Sequence, residues 1–174
     1  IMLTGVTARS WGSTMVFGFL RKREVSPRLA RLRELSLLEH LSPAELRHVD
    51  VLLHEREFVQ NEIIFDEGEE GQALYIVLEG QVAIVRARNG EEQPLATLSP
   101  GEFFGEMALL DRSPRGARAK AASNCRMAVL FREDLVALLT THAVVGSKIT
   151  LQMARHMATI IRQNVVSTAA TVSL

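Results

Sequence analysis

The chain of 174 residues sets 20 Lys+Arg against 20 Asp+Glu, is 47% hydrophobic and holds one cysteine, Cys125. That length and composition predict one globular domain with arms, and the lone thiol excludes an internal disulfide framework or a multi-cysteine zinc site. Zero net charge argues against nucleic acid as partner, and the longest clean apolar run, Met15–Leu20, is too short to span a membrane. The expected location is cytoplasmic.

The zero hides a division. Residues 1–36 carry seven basic and two acidic residues, 37–107 four basic and fifteen acidic, and 108–174 nine basic and three acidic. Such segregation fits either an anion site in the basic part or ordinary solvated faces.

Residues 1–26 read as an N-terminal arm, and the start at Ile1 marks residues 1–14 as either a non-native start, with Met15 as candidate initiator, or the tail of something upstream. Met15–Leu20 followed by Arg21-Lys22-Arg23 has the make-up of a weak membrane-surface contact, but the expected role is a short arm packed on the domain. The main domain is expected over 27–165. Leucines at 29, 32, 35 and 38 predict a helix over Pro27–Leu41. Ser42-Pro43-Ala44-Glu45 has the form of a capping box with proline at the first helical position, and Leu46, Val49, Leu52 and Leu53 supply the following helix with a buried face.

From about 57 to 131 the hydrophobic period becomes two. Predicted strands are Glu62–Phe65, Leu74–Leu78, Val82–Ala87, Leu95–Leu98, Ala117–Ala122 and Cys125–Phe131, with Asn89-Gly90 as a hairpin turn. At least six short strands at this spacing indicate a barrel or sandwich. Helical pattern returns at Glu133–Thr141 and about Val145–Val165, within C-terminal helices about 132–165, leaving 166–174 as a tail. The fold class is therefore mainly β with flanking helices.

One passage interrupts the strands: Phe103-Phe104-Gly105-Glu106-Met107-Ala108-Leu109-Leu110, then Pro114-Arg115-Gly116-Ala117. Gly105 lets backbone approach a bound group, and Glu106–Leu110 can form one helical turn whose free N–H groups favour an anion. Arg115 can present paired donors to the same anion. A carboxylate beside an anion seat makes sense for a ligand with hydroxyls as well, as a sugar phosphate has. Arg118 and Lys120 alternate with Ala117, Ala119 and Ala121 and are placed on the outer sheet face.

These stretches, with Phe65-Asp66-Glu67-Gly68 and Tyr75-Ile76-Val77-Leu78-Glu79-Gly80-Gln81-Val82 upstream, resemble the cyclic nucleotide-binding domain family from about Leu37 to Val165. The resemblance implies a β-roll, or jelly roll, in which Glu106 binds the ribose 2′-hydroxyl and Arg115 the cyclic phosphate. Backbone groups of Gly105, Met107, Ala108, Gly116 and Ala117 complete the pocket. Threonine in place of Gly116 favours cGMP in the family, so glycine points to cAMP and leaves cGMP open. The transcription-factor branch of the family further implies a homodimer through residues 145–165. It places Ile160 and Ile161 where that branch reads the base with hydroxyl residues.

The final helix carries Val145, Ile149, Met153, Met157, Ile160, Ile161 and Asn164 on one stripe, the pattern of a core face or a helix–helix seam. Too few residues follow it for a helix-turn-helix, and no kinase or cyclase motif is present. A metal-dependent cupin enzyme needs histidines on the strands, whereas His40, His48, His54, His142 and His156 all fall in predicted helices. Cys125 is expected to pack rather than react. The expected protein is a non-enzymatic cyclic-nucleotide sensor without cofactor or metal, relaying its ligand through the C-terminal helices to an unidentified downstream protein. Its rivals are an interaction scaffold of the same fold that binds no nucleotide, and a regulatory fragment of a transporter or channel.

Overall fold

The computed structural model describes residues 26–88 and 91–172, with side chains to 163. The expected non-native residues 1–14, the Met15–Arg23 segment, the Asn89-Gly90 turn and the Asn164 side chain lie outside what is described. Two short helices, α1 (Pro27–Leu32) and α2 (Pro43–Asp50), lead into eight strands. These are β1 (His54–Phe58), β2 (Ile63–Phe65), β3 (Ala73–Glu79), β4 (Val82–Arg88), β5 (Glu91–Leu98), β6 (Phe103–Phe104), β7 (Arg118–Ala121) and β8 (Cys125–Phe131). The one-turn helix α3 (Glu106–Asp111) separates β6 from β7, and α4 (Arg132–Thr141) and α5 (Ala143–Val172) close the chain.

The strands form two four-stranded sheets, ordered β1-β8-β3-β6 and β2-β7-β4-β5, and every pairing is antiparallel. Strand β3 shows how the sequence specifies this arrangement. Its residues Leu74 and Ile76 face a leucine-rich core shared with the helices, while Val77 and the partly buried Tyr75 join a second core between the sheets. Both faces of the strand are covered, so it reads as a nearly continuous apolar run. In β7, Ala119 and Ala121 are fully buried between the sheets, while Arg118 turns outward to bond Asp66 and Glu92. The outer-face placement of that arginine holds.

The capping box before α2 forms as expected: the Glu45 N–H donates to Ser42 Oγ at 3.3 Å, and the Ser42 N–H donates to Glu45 Oε2 at 2.7 Å. The helix expected over Pro27–Leu41 does not persist beyond Leu32. Its leucines recur every third residue, and the chain follows that period with bonds from Leu35 N to Leu32 O, Leu38 N to Leu35 O and Leu41 N to Leu38 O. A repeat of three suits tight i to i−3 turns better than an α-helix of 3.6 residues per turn. Leu29, Leu32, Leu35, Leu38 and Leu41 all end up buried.

Two other expectations change. His54 lies on strand β1 rather than on a helix, and His40 lies in the turns before α2. No cluster of three or more His, Cys, Asp and Glu able to hold a metal occurs among the described residues. The last helix runs on to Val172, past the expected end at Val165, so that most of the expected tail is helical. Its Val145, Ile149 and Met153 are buried in this chain's own core rather than left for a partner. Lys148 Nζ bonds the Glu45 carboxylate at 2.8 Å, and Gln152 Nε2 bonds the Ser36 carbonyl at 3.1 Å, fixing α5 against the N-terminal segment. Cys125 is buried, with its thiol on the Gln81 and Ser123 carbonyls. No helix among the described residues is long and apolar enough to cross a membrane.

Candidate functional site

Strand β6 delivers the chain to Gly105, which has φ of 85° and precedes α3. A left-handed backbone is cheap only for glycine. Space demands glycine as well: a Cβ here would lie 2.6 Å from Arg115 Nη1 and 3.3 Å from the Ala73 carbonyl. Gly71, at the entry to β3, is forced in a similar way, because a Cβ there would collide with the Ala108 side chain. The loop thus sits hard against the sheet.

Arg115 is 5% exposed and is held by its backbone as well as its side chain. Its N–H donates to the Glu69 carbonyl at 2.8 Å and its own carbonyl accepts from Gly68 N at 2.9 Å, with a bridge between Glu70 and Pro114 beside them. The acidic Asp66–Gly71 turn is therefore the template that positions this arginine. The guanidinium donates from Nη1 to the Gly105 carbonyl at 2.8 Å and from Nη2 to the Ala73 carbonyl at 2.7 Å. Its carbon lies 4.0 Å from the centre of the Phe65 ring, a cation–π arrangement. The buried Nε has no hydrogen-bond partner among the described residues. Burial lowers the Arg115 pKa, opposed by Tyr75, Glu106 and Glu69, yet a guanidinium stays charged in a protein.

Glu106, 4% exposed, begins α3. Burial raises its pKa above the usual carboxylate range, opposed by a bond from its own backbone N–H and by the charges of His156 and Arg115. It forms no ion pair with Arg115 within 4.0 Å; its near neighbour is His156 of α5, with Nε2 3.9 Å from Oε1. The site therefore holds a buried cation and a buried anion side by side, each short of a charged hydrogen-bond partner. Charges are taken out of water at high cost unless something answers them. Backbone carbonyls satisfy two donors of Arg115 but bring no negative charge.

Of the remaining expected residues, Ala108 is buried, Met107 is 60% exposed and Ala117 is half-buried. Gly116 is exposed, its Cβ direction meets nothing within 4 Å, and its carbonyl accepts from Arg86 Nη2 at 2.8 Å. The structure brings Gly105–Ala108 and Arg115–Ala117 together around the Glu106 and Arg115 side chains. On α5, the Ile161 side chain is 62% exposed and Ile160 is half-buried. The α5 residue that reaches the loop is His156, about one turn earlier, with its ring 4.4 Å from that of Phe103. His156, Phe65 and Arg132 were not legible as site residues. Arg132 donates from Nη2 to the carbonyls of both Gly71 and Ala108, the latter at 2.7 Å.

The chain matches the family described as cyclic nucleotide-binding domain over residues 55–142. It is 38% identical over 122 residues to the cyclic AMP receptor protein of Thermus thermophilus, an alignment covering 70% of this chain and 56% of that one. A solved cyclic nucleotide-binding domain from Methylobacillus flagellatus superposes with a TM-score of 0.70 at 25% identity, covering 78% of this chain and 76% of that chain. The regulatory domain of Toxoplasma gondii PKA, solved with cAMP, gives 0.58 at 31% identity, covering 63% and 42%. The chain spans about half, or less, of the length of the curated relatives it matches. The matched span contains the left-handed glycine, the one-turn helix and both buried charges, and by it the chain belongs to the cyclic nucleotide-binding domain family.

Proposed function

We propose that this chain is a non-catalytic sensor module that binds cAMP at the Gly105–Ala117 loop and relays the event through its C-terminal helices. The observation that carries the reading is Arg115: a guanidinium buried to 5% exposure, met by neutral carbonyls, with Nε unpartnered. A cyclic phosphate answers that charge, and Glu106 is placed to accept from the ribose hydroxyl beside it. Two relatives support the choice of ligand: one is named a cyclic AMP receptor protein, and the other was solved with cAMP. Gly116 favours cAMP over cGMP, because it offers no hydroxyl to a guanine amino group.

The relay has a physical route. Arg132 ties the start of α4 to α3, and His156 ties α5 to Glu106, so a ligand that moves the loop acts on both helices. A second copy of the chain fits the outer face of α5. With Val145, Ile149 and Met153 used internally, the side chains left for it are the exposed Val144, Leu151 and Ile161. Val144 and Leu151 are seven residues apart and Ile161 follows ten later, one seam of a two-helix contact.

Calorimetric titration of the intact chain with cAMP, cGMP and 5′-AMP tests the reading. Saturable binding of cAMP, weaker binding of cGMP and little binding of 5′-AMP are expected. No heat with either cyclic nucleotide, together with an unmoved melting temperature, would favour the scaffold instead.

A further inference from the structure

We infer that His156 is the positioning residue through which α5 orients the ligand-facing carboxylate of Glu106. The inference rests on the proposed role of Glu106, and it concerns a contact that no residue of the loop supplies.

Three observations converge. The His156 Nε2 lies 3.9 Å from Glu106 Oε1, and the Glu106 side chain is 5% exposed against 29% for the histidine. One edge of the imidazole is thus inside with the carboxylate while the ring still communicates with solvent protons. The ring also rests 4.4 Å from Phe103, the first residue of β6, which leads through Phe104 into Gly105. Finally, the stretch of α5 preceding His156 is anchored, by Lys148 on Glu45, by Gln152 on Ser36 and by the fully buried Ile149 and Met153. The imidazole therefore reports where α5 sits.

The charged groups around the pair are few. Glu106 is faced by His156 from α5 and by Arg115 from the loop before β7. Arg115 is in turn faced by Tyr75 of β3, Glu69 of the preceding turn and Arg132 of α4. His156 addresses Oε1 of Glu106 from α5, while the residue's own backbone N–H also bonds the carboxylate. With α5 docked, the His156 ring opposes the burial that favours a protonated carboxyl and holds that carboxyl aimed. With α5 withdrawn, the carboxyl keeps its burial, loses one of two cations, and takes up a proton more readily. By linkage, a ligand that requires the ionised carboxylate favours the docked helix to the same extent.

Two measurements on the full chain test this with His156→Gln and the rescue variant His156→Lys. In the ligand-free protein, the pH titration of the Glu106 carboxyl carbon is followed by NMR. Its midpoint should rise in His156→Gln and return towards wild type in His156→Lys. An unchanged midpoint in His156→Gln overturns the inference whether or not any nucleotide binds. In the second measurement, cAMP affinity is followed from pH 8 down to pH 5. Wild type and His156→Gln should converge at pH 8. At the acid end the variant should weaken first, by about threefold to tenfold, since one pKa unit is a factor of ten in ionised carboxylate. Superimposable affinity profiles overturn the inference. A shifted carboxyl midpoint without cAMP binding by the wild type overturns the proposed ligand and leaves the His156–Glu106 contact standing.

Discussion

Arg115 and Arg118 lie three residues apart on the approach to and start of β7, and they have opposite surroundings. Arg118 faces outward and is answered in full: Nε and Nη2 reach the two oxygens of Asp66, each at 2.9 Å, and Nη1 reaches Glu92 at 2.7 Å. These bonds raise its pKa and lower that of Asp66. Arg115 faces inward, and among the described residues no carboxylate bonds it; it rests on two carbonyls and an aromatic ring. An arginine with carboxylate partners at the surface belongs to the fold, and its net worth is small because solvent screens it. An arginine buried without one has been kept at a cost in stability, and a binding site is the economical explanation for that cost.

The comparison breaks first on ligand affinity. Replacing Arg115 with alanine should weaken cAMP binding by about 1.5–3 kcal/mol, the range for a hydrogen bond to a charged group, or about 10- to 150-fold by calorimetry. Replacing Arg118 with alanine should leave the affinity nearly unchanged and lower the melting temperature slightly, less so as salt is added. Equal losses from the two variants would end the distinction.

Gly105→Ala should come next. The left-handed backbone alone costs about 1–2 kcal/mol for a residue with a side chain, and the added carbon meets Arg115 Nη1 at 2.6 Å. Urea denaturation should show the loss, and cAMP affinity should fall with it.

Glu106→Gln separates stability from function. Burial raises this carboxyl's folded-state pKa, so the fold favours its protonated form. That contribution is present in full below the unfolded carboxyl pKa and is lost as pH rises through the higher folded value. At neutral pH the ionised group is a cost, and glutamine removes it. The ligand-free variant should melt a few degrees higher than wild type, by about 2–4 °C at pH 7.5. The gap should close in acid, while cAMP affinity drops by about tenfold with loss of the charge-assisted bond.

The smallest effect is expected at Gly116. A side chain there enters open space, so Gly116→Thr should fold normally and shift the cAMP-to-cGMP affinity ratio towards cGMP by about 0.5–1.5 kcal/mol, one hydrogen bond. An unchanged ratio in competition binding would remove this position from base selection.

Much of the site was legible because its determinants are local. Gly105-Glu106 and Arg115-Gly116 stand close to short apolar strands, and β3, β4 and β8 read as strands from short apolar runs bounded by turn residues. The fold's irregular parts were hidden for the converse reason. Strand β6 is two residues long and exists only through its pairing with Tyr75 and Ile76. The chain after Leu32 abandons the α-helix, and Ser36 bonds Gly101 through both its N–H and its hydroxyl, a contact across most of the domain. His156 reads from sequence as one more residue of a long helix. Only the packing of α5 on Phe103 and α3 brings it to Glu106, and nothing in hydrophobic periodicity encodes which residue of a stripe meets a carboxylate.

Arg132 gives the loop a mechanical character. A single nitrogen, Nη2, holds the carbonyls of Gly71 and Ala108, so the entrance to β3, the one-turn helix and the head of α4 are riveted at one point. The one-turn helix is tied down by this bond, and Gly71 leaves no room for a side chain between the β3 entrance and Ala108. Under the proposed relay, a displacement of the loop would reach α4 through this point. The stiffness of a six-residue helix, too short to be stable alone, is thus borrowed from the arginine beneath it.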